Sequence, residues 1–209
     1  MFRDRVEAGD RLAERLVELA SEPVVVLGLP RGGVPVADRV ARRLGAPLDV
    51  IVVRKLGAPS RPELAVGAIG EGGVRVLDAE LASRLGVGER QLAAVEAAER
   101  RVLDERVARL RGEHPPVDLH GRVCLIVDDG IATGSTARAA CLVARARGAS
   151  RVVVAAPVGP VEAVDALADV ADEVVLAEMP SRFMAVGAWY DDFRPTTDAE
   201  VAELVSAAR

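Results

Sequence analysis

Val123-Cys-Leu-Ile-Val-Asp-Asp-Gly-Ile-Ala-Thr-Gly-Ser-Thr136 decides the fold. A five-residue apolar run ends in two adjacent acids, and a turn of small, hydroxyl-bearing and glycine residues then leads into a helix. The run has the character of a buried parallel strand, whose carboxyl end is where an open α/β sheet receives its ligand. Asp128 and Asp129 offer acceptors there, suited to a pair of sugar hydroxyls or to a hydrated divalent cation. The turn from Ala132 through Thr133, Gly134 and Ser135 to Thr136 offers backbone N–H groups and hydroxyls that wrap a phosphate at a helix N-terminus. Diol acceptors beside a phosphate cradle describe a site for a ribose 5-phosphate group.

Working outward, apolar runs alternate with helical periodicity, which predicts a parallel sheet with crossover helices. Helical spacing from residue 3 to 20 places Val6, Leu12, Leu16 and Leu19 on one side. Strands are expected at Val24–Leu29, Leu48–Val53, Val123–Val127, Val152–Ala156 and Glu173–Ala177. Helices are expected at Val34–Leu44, from the turn to about Arg147, at Val161–Ala168 and at Asp198–Ala207. Gly57 to Gly73, rich in Gly and Pro, reads as a mobile loop or a hairpin. Ala79 to Arg111 is helical with a break near Gly86-Val87-Gly88, its second half aligning Leu92, Val95, Val102 and Leu110 and pairing Glu96 with Arg100.

The 209 residues suit one α/β domain with a decoration, spanning 1–209. A net charge of −5 gives no broad basic face, so nucleic acid is not an expected partner. No charged-then-apolar leader and no apolar run near ~20 residues is present, so the expectation is a cytoplasmic protein without a membrane partner. Cys124 and Cys141 read as small core residues, and His114 and His120 as loop residues flanking Pro115-Pro116. Of the 27 basic residues, all are arginine except Lys55, which marks a position that needs a compact ammonium.

The opening stretch resembles the phosphoribosyl-pyrophosphate (PRPP) motif of type I phosphoribosyltransferases: four apolar residues, two acids, then Thr-Gly-x-Thr. The resemblance implies that fold, a parallel twisted sheet flanked by helices, and implies cytoplasmic nucleotide salvage. It implies that Asp128 and Asp129 hold the ribose hydroxyls and lie near Mg2+, and that Ala132, Thr133, Gly134, Ser135 and Thr136 bind the 5′-phosphate. Leu29-Pro30-Arg31-Gly32-Gly33 resembles the family's pyrophosphate loop. Arg31, Gly32 and Gly33 are then expected on the pyrophosphate, with a cis peptide bond between Pro30 and Arg31. Val52-Val53-Arg54-Lys55 is similar to the strand-end Arg-Lys pair of orotate and adenine phosphoribosyltransferases, which implies that Arg54 and Lys55 also serve the leaving pyrophosphate. The loop that follows, 57–63, would then close over the site.

Four of the five aromatic residues, Phe183, Trp189, Tyr190 and Phe193, crowd into the irregular segment 179–194. This segment resembles the hood of purine phosphoribosyltransferases, so Phe183 or Trp189 is expected to stack on a base and Asp191 to read its edge. Ala132 is a departure: hypoxanthine-guanine enzymes carry an aspartate there, whereas adenine phosphoribosyltransferase carries alanine. The helical insertion at 79–111 resembles that of a bacterial group of phosphoribosyltransferase-like proteins; a homodimer contact and a lid are its two open uses. The implied activity is Mg2+-dependent transfer from PRPP to a nitrogenous, purine-like base. A non-catalytic PRPP- or nucleotide-binding regulator and a PRPP hydrolase are the competing readings.

Overall fold

A computed structural model describes residues 1–112 and 114–208, with residue 63 described by its backbone. The element order is α1 (Arg5–Glu14), β1 (Val24–Gly28), α2 (Gly33–Leu44), β2 (Leu48–Val50), β3 (Val53–Ala58), β4 (Arg61–Gly70), β5 (Arg75–Leu77), α3 (Ala79–Arg84), α4 (Glu89–Arg111), β6 (Val123–Val127), α5 (Ser135–Ala146), β7 (Arg151–Val158), α6 (Val161–Asp165), β8 (Glu173–Glu178) and α7 (Asp198–Ala207). Among the described residues, five strands form a parallel sheet in the order β2-β1-β6-β7-β8, and β3-β4-β5 form a separate antiparallel sheet.

The parallel strands are apolar throughout because both faces are covered. Alternate residues divide between two layers: Val25, Cys124, Ile126, Val152 and Val154 pack with α5 and α6, while Val24, Val26, Leu125 and Val153 pack with α1 and α2. Both cysteines are buried and unpaired, and burial pushes their thiols up to about 11 and about 12, so they serve as packing. Helix α2 is closed by Gly45 in the left-handed region, and α7 opens on a capping box between Thr197 and Glu200. No described helix is long and apolar enough to cross a membrane.

The course of the chain after Leu48 corrects the sequence reading. The strand expected to run to Val53 stops at Val50, and a new strand begins at Val53 in the other sheet. The apolar run hides the change because Ile51 and Val52 stay buried while the chain crosses over. Of the two readings for 57–73, the hairpin is the one that forms: β3 pairs with β4 from Val53–Gly70 to Ala58–Arg61, with register shifts around Gly57. Ala58 and Val66 are buried against Ala82 and Leu92, which pins the hairpin to α3 and α4.

The insertion is two helices, as expected, but the stripe of α4 runs through Leu103 rather than Val102, which is 38% exposed. Leu92, Leu103 and Leu110 are 11 and 7 residues apart, close to whole turns, so they share a face that Val102 leaves by about 100°. Leu103 and Leu110 pack with Leu56, Ile69, Val201 and Val205 of the same chain. Likewise, Leu12 of α1 and Leu16 just after it are inside while Val6 is exposed.

Candidate functional site

The strand order reverses between β1 and β6: from β1 the chain moves outward to β2 on one side, and from β6 to β7 and β8 on the other. Loops leaving such a pair of strands diverge to opposite faces and open a crevice at their carboxyl ends. Gly28 is paired with Val127, so the segments 29–33 and 128–136 leave the sheet side by side. The Leu29 N–H donates to the Val127 carbonyl at 2.8 Å, which ties the two exits together.

The glycines of the first exit answer to the second. A Cβ on Gly33 would lie 2.5 Å from the Val127 carbonyl oxygen and 2.8 Å from the Asp128 Cα; one on Gly32 would lie 1.9 Å from Asp129 Oδ2. Gly33 is therefore needed for the loop to pass the β6 backbone, Gly32 leaves room for the Asp129 carboxylate as it is placed, and the Pro30–Arg31 peptide is cis, as the resemblance implies. Gly33→Ala should cost about 1–3 kcal/mol by overpacking against backbone, a fall in melting temperature of roughly 5 °C. A thermal melt checks it; an unchanged midpoint would mean that the loop can move away from β6.

The two acids differ. Asp128 sits partly buried beside Asp129 and accepts from the Asp129 N–H at 2.9 Å. Burial first, and the Asp129 charge second, push its carboxyl up to about 8. Asp129 is held by Arg5 from α1, with Nε and Nη2 at 2.8 and 2.7 Å from Oδ2. Arg5 also donates to the Arg194 carbonyl at 2.8 Å and lies 4.1 Å from the Phe193 ring centroid. Sequence reasoning missed Arg5. Its partners lie more than a hundred residues away, and no local pattern distinguishes it from the other arginines.

The Asp128 shift has a consequence for stability. Between an unfolded value near 3.8 and a folded value of about 8, the folded chain holds a proton that the unfolded chain has lost. Stability therefore falls as pH rises from about 4 to about 8. Asp128→Asn removes that loss, so without added metal it should melt with wild type near pH 4 and about 2–4 °C or more above it at pH 8.5. Parallel melting curves across that range would refute the coupling.

The turn after the acids begins α5. Gly134, at φ 72°, is the N-cap residue, in a left-handed conformation that other residues rarely adopt. Ala132, Thr133 and Thr136 are exposed, and the Ser135 hydroxyl accepts from Lys55 Nζ at 3.2 Å. The first N–H groups of a 12-residue helix thus lie beside hydroxyls and an ammonium, with the Ser135 N–H reaching Thr133 Oγ1 at 3.5 Å, an arrangement that favours an anion.

The cations are less freely disposed than the sequence implied. Arg54 and Lys55 lie inside β3 and reach opposite ways, as neighbours on a strand do. Arg54 pairs with Glu99 of α4 at 2.6 Å, while Lys55 reaches Ser135. Arg31 is half-exposed and lies 3.7 Å from Asp198 at the start of α7. A cleft of about 490 Å³ runs between the hairpin and α4, lined by Pro30, Arg54, Lys55, Glu99, Arg106 and Thr136 among others.

The hood is fastened to the acids and to the N-terminus. Tyr190 is buried and its hydroxyl donates to the Asp129 carbonyl at 2.6 Å; burial and the Asp129 charge both raise its pKa. Phe2, the fifth aromatic residue, is fully buried and bridges to Tyr190 as a short parallel pair. Phe183, Trp189 and Phe193 are part-buried against this cluster, and Asp191 is exposed with its N–H on the Phe2 carbonyl. Gly130 leaves room for Val186, whose Cγ1 would lie 2.3 Å from an added Cβ. Among the described residues, no group of three His, Cys, Asp or Glu side chains is placed to hold a metal ion.

The phosphoribosyl transferase domain model matches residues 3–178. A relative from Mycobacterium tuberculosis (strain H37Rv), provisionally named a phosphoribosyl transferase, is 52% identical over 208 residues, covering 100% of this chain and 47% of its own length. The chain thus spans about half the length of the curated relatives it matches. A crystal structure of a protein from Thermus thermophilus is 48% identical, with a TM-score of 0.88 over 98% of this chain and 97% of that one. An Aquifex aeolicus protein, 11% identical with a TM-score of 0.51 over 97% of this chain and 84% of its own, shares the fold.

Proposed function

We propose that this chain, which belongs to the phosphoribosyl transferase family, transfers ribose 5-phosphate from PRPP to a nitrogenous, purine-like base and releases pyrophosphate. The observation that carries the reading is that the acidic pair and the hydroxyl-rich start of α5 leave the sheet beside the Pro30–Gly33 loop, while Pro30 and Thr136 line one cleft with Arg54 and Lys55. In this reading the 5′-phosphate lies on residues 132–136, and Asp128 and Asp129 accept from the ribose hydroxyls. The pyrophosphate lies toward Arg31, Gly32, Gly33, Arg54 and Lys55, so the sugar is held from both ends and its C1 is fixed between them. Arg5 orients Asp129. Phe183, Trp189 and Asp191 face the base.

The reaction follows from that placement. The bond from C1 to the pyrophosphate oxygen breaks, and its electron pair leaves with the pyrophosphate. A nitrogen lone pair of the base forms the new bond from the opposite face, which inverts C1. With Ala132 where a third acid would stand, the N–H proton of the base passes to solvent. Cations around the departing group stabilise the charge that grows on it.

Two adjacent carboxylates without a third suit Mg2+, which takes one or two carboxylates together with substrate phosphates and keeps waters for the rest. Asp128 and Asp129 would hold it, and when bound it supplies positive charge to the leaving pyrophosphate. We also take 1–209 to be one domain, because Val201 and Val205 of α7 share a buried cluster with Leu103 and Leu110 of α4. The cytoplasm is the proposed setting.

A binding-only reading has one observation in its favour: Asp129 and Arg54 are already paired, with Arg5 and Glu99. Pyrophosphate release from PRPP with Mg2+, one nucleobase per reaction, separates the readings. Release that depends on one base supports the transferase and identifies its acceptor. Release without any base indicates a hydrolase, and PRPP binding without release under every base indicates a regulator.

A further inference from the structure

The inward stripe of α4 contains two charged residues where apolar ones are expected. Glu99 stands four residues from both Val95 and Leu103, and Arg106 stands three from Leu103 and four from Leu110, so both share the face that packs on the hairpin. Glu99 is accounted for by Arg54 at 2.6 Å. Arg106 makes no salt bridge among the described residues. Its Nη2 donates to the Pro30 carbonyl at 3.0 Å, and that is its one hydrogen bond among the described residues. The charges that act on it most strongly among the described residues are Asp198 in its favour and Arg31, Arg54 and Arg109 against it. Asp198 is itself shared with Arg31 at 3.7 Å and Arg109 at 3.6 Å.

A part-buried guanidinium among like charges is unfavourable unless an anion completes the group. Burial, and then the neighbouring arginines, hold Arg106 below the usual arginine range despite Asp198. Its place on the wall of the 490 Å³ cleft, with Arg54 and Lys55, says where that anion lies.

We infer that Arg106, supplied by the insertion helix, is a binding residue for the pyrophosphate group, its guanidinium fork aimed by the Pro30 carbonyl into the cleft between α4 and β3. The inference rests on the transferase reading, and it gives the insertion a part in the site itself. Of the five N–H groups of an arginine, one is engaged by Pro30; the others have no partner among the described residues and suit the paired bonds that a phosphate oxygen edge accepts. A lysine there would keep the charge and lose the fork.

The test is calorimetric titration of the whole chain with inorganic pyrophosphate and, separately, ribose 5-phosphate, for wild type, Arg106→Met and Arg106→Lys, each with its melting curve. Arg106→Met should weaken pyrophosphate by about tenfold or more and leave ribose 5-phosphate within about twofold, with Arg106→Lys in between. Wild-type affinity for pyrophosphate in Arg106→Met overturns the inference and leaves the transferase reading standing. So does an equal loss for both ligands in both variants, since it would mean that Arg106 only supports the Pro30 turn. If wild type binds neither ligand, the transferase reading fails and the inference with it. If Arg106→Met fails to fold, Arg106→Lys decides alone: pyrophosphate affinity equal to wild type overturns the fork.

Discussion

The double variant Asp128→Asn/Asp129→Asn should lose about a thousandfold in kcat/KM for PRPP and still fold. Each carboxylate hydrogen bond to a ribose hydroxyl or a bound cation's water is charge-assisted and worth about 1.5–3 kcal/mol, so two together reach about three powers of ten. The fold survives because two effects on stability oppose each other. Asp128→Asn removes a carboxylate that burial and Asp129 both disfavour. Asp129→Asn leaves Arg5, a side chain only 12% exposed, without its acid. At pH 8 the melting order is therefore expected to be Asp128→Asn, then wild type, then Asp129→Asn, with the double variant near wild type. Steady-state kinetics and melting curves on all four proteins check both halves. Turnover near wild type in the double variant would remove the acids from the reaction.

The parts of this site that were legible in the sequence are those built from neighbours along the chain. The apolar run, the two acids and the hydroxyl turn sit within fourteen residues, and their order alone implies a strand, a crevice and a helix start. Pro30 to Gly33 is equally local. What stayed hidden depends on partners far away. Arg5 reaches Asp129 across 124 residues, and Phe2 joins the hood from the opposite end of the chain. In a chain whose basic residues are almost all arginine, neither Arg5 nor Arg106 stands out by type. Arg106 did leave a trace, since it stands three residues from Leu103 and four from both Val102 and Leu110, which puts it on the apolar side of α4 whichever of the two is taken as the inward residue. The crossing from β2 to β3 left no trace, because a buried connector and a buried strand have the same composition.

Arg111→Met should be the most destabilising single substitution of those considered, by about 3–5 kcal/mol, or roughly 10 °C in melting temperature. Arg111 ends α4 with its side chain 1% exposed. Its Nε donates to Asp49 Oδ1 at 2.9 Å, and its Nη2 to the Val50 carbonyl at 2.8 Å and to Glu71 Oε1 at 3.0 Å, while Nη1 pairs with Glu71 Oε2. Burial works against the charge, but the hydrogen bonds and charges of Glu71 and Asp49 outweigh it and raise the arginine's pKa. One guanidinium thus joins β2, the end of the hairpin and α4, the elements that carry Arg54, Lys55 and Arg106. Removing it takes the Arg111 charge away from two buried carboxylates, which is the costly way to break such a network. Removing all three charges together, as Asp49→Asn/Glu71→Gln/Arg111→Met, is expected to recover much of the loss, because no uncompensated charge then remains buried. If the single variant melts within about 2 °C of wild type, water or another cation must reach Asp49 and Glu71, and α4 must be held by its leucines alone.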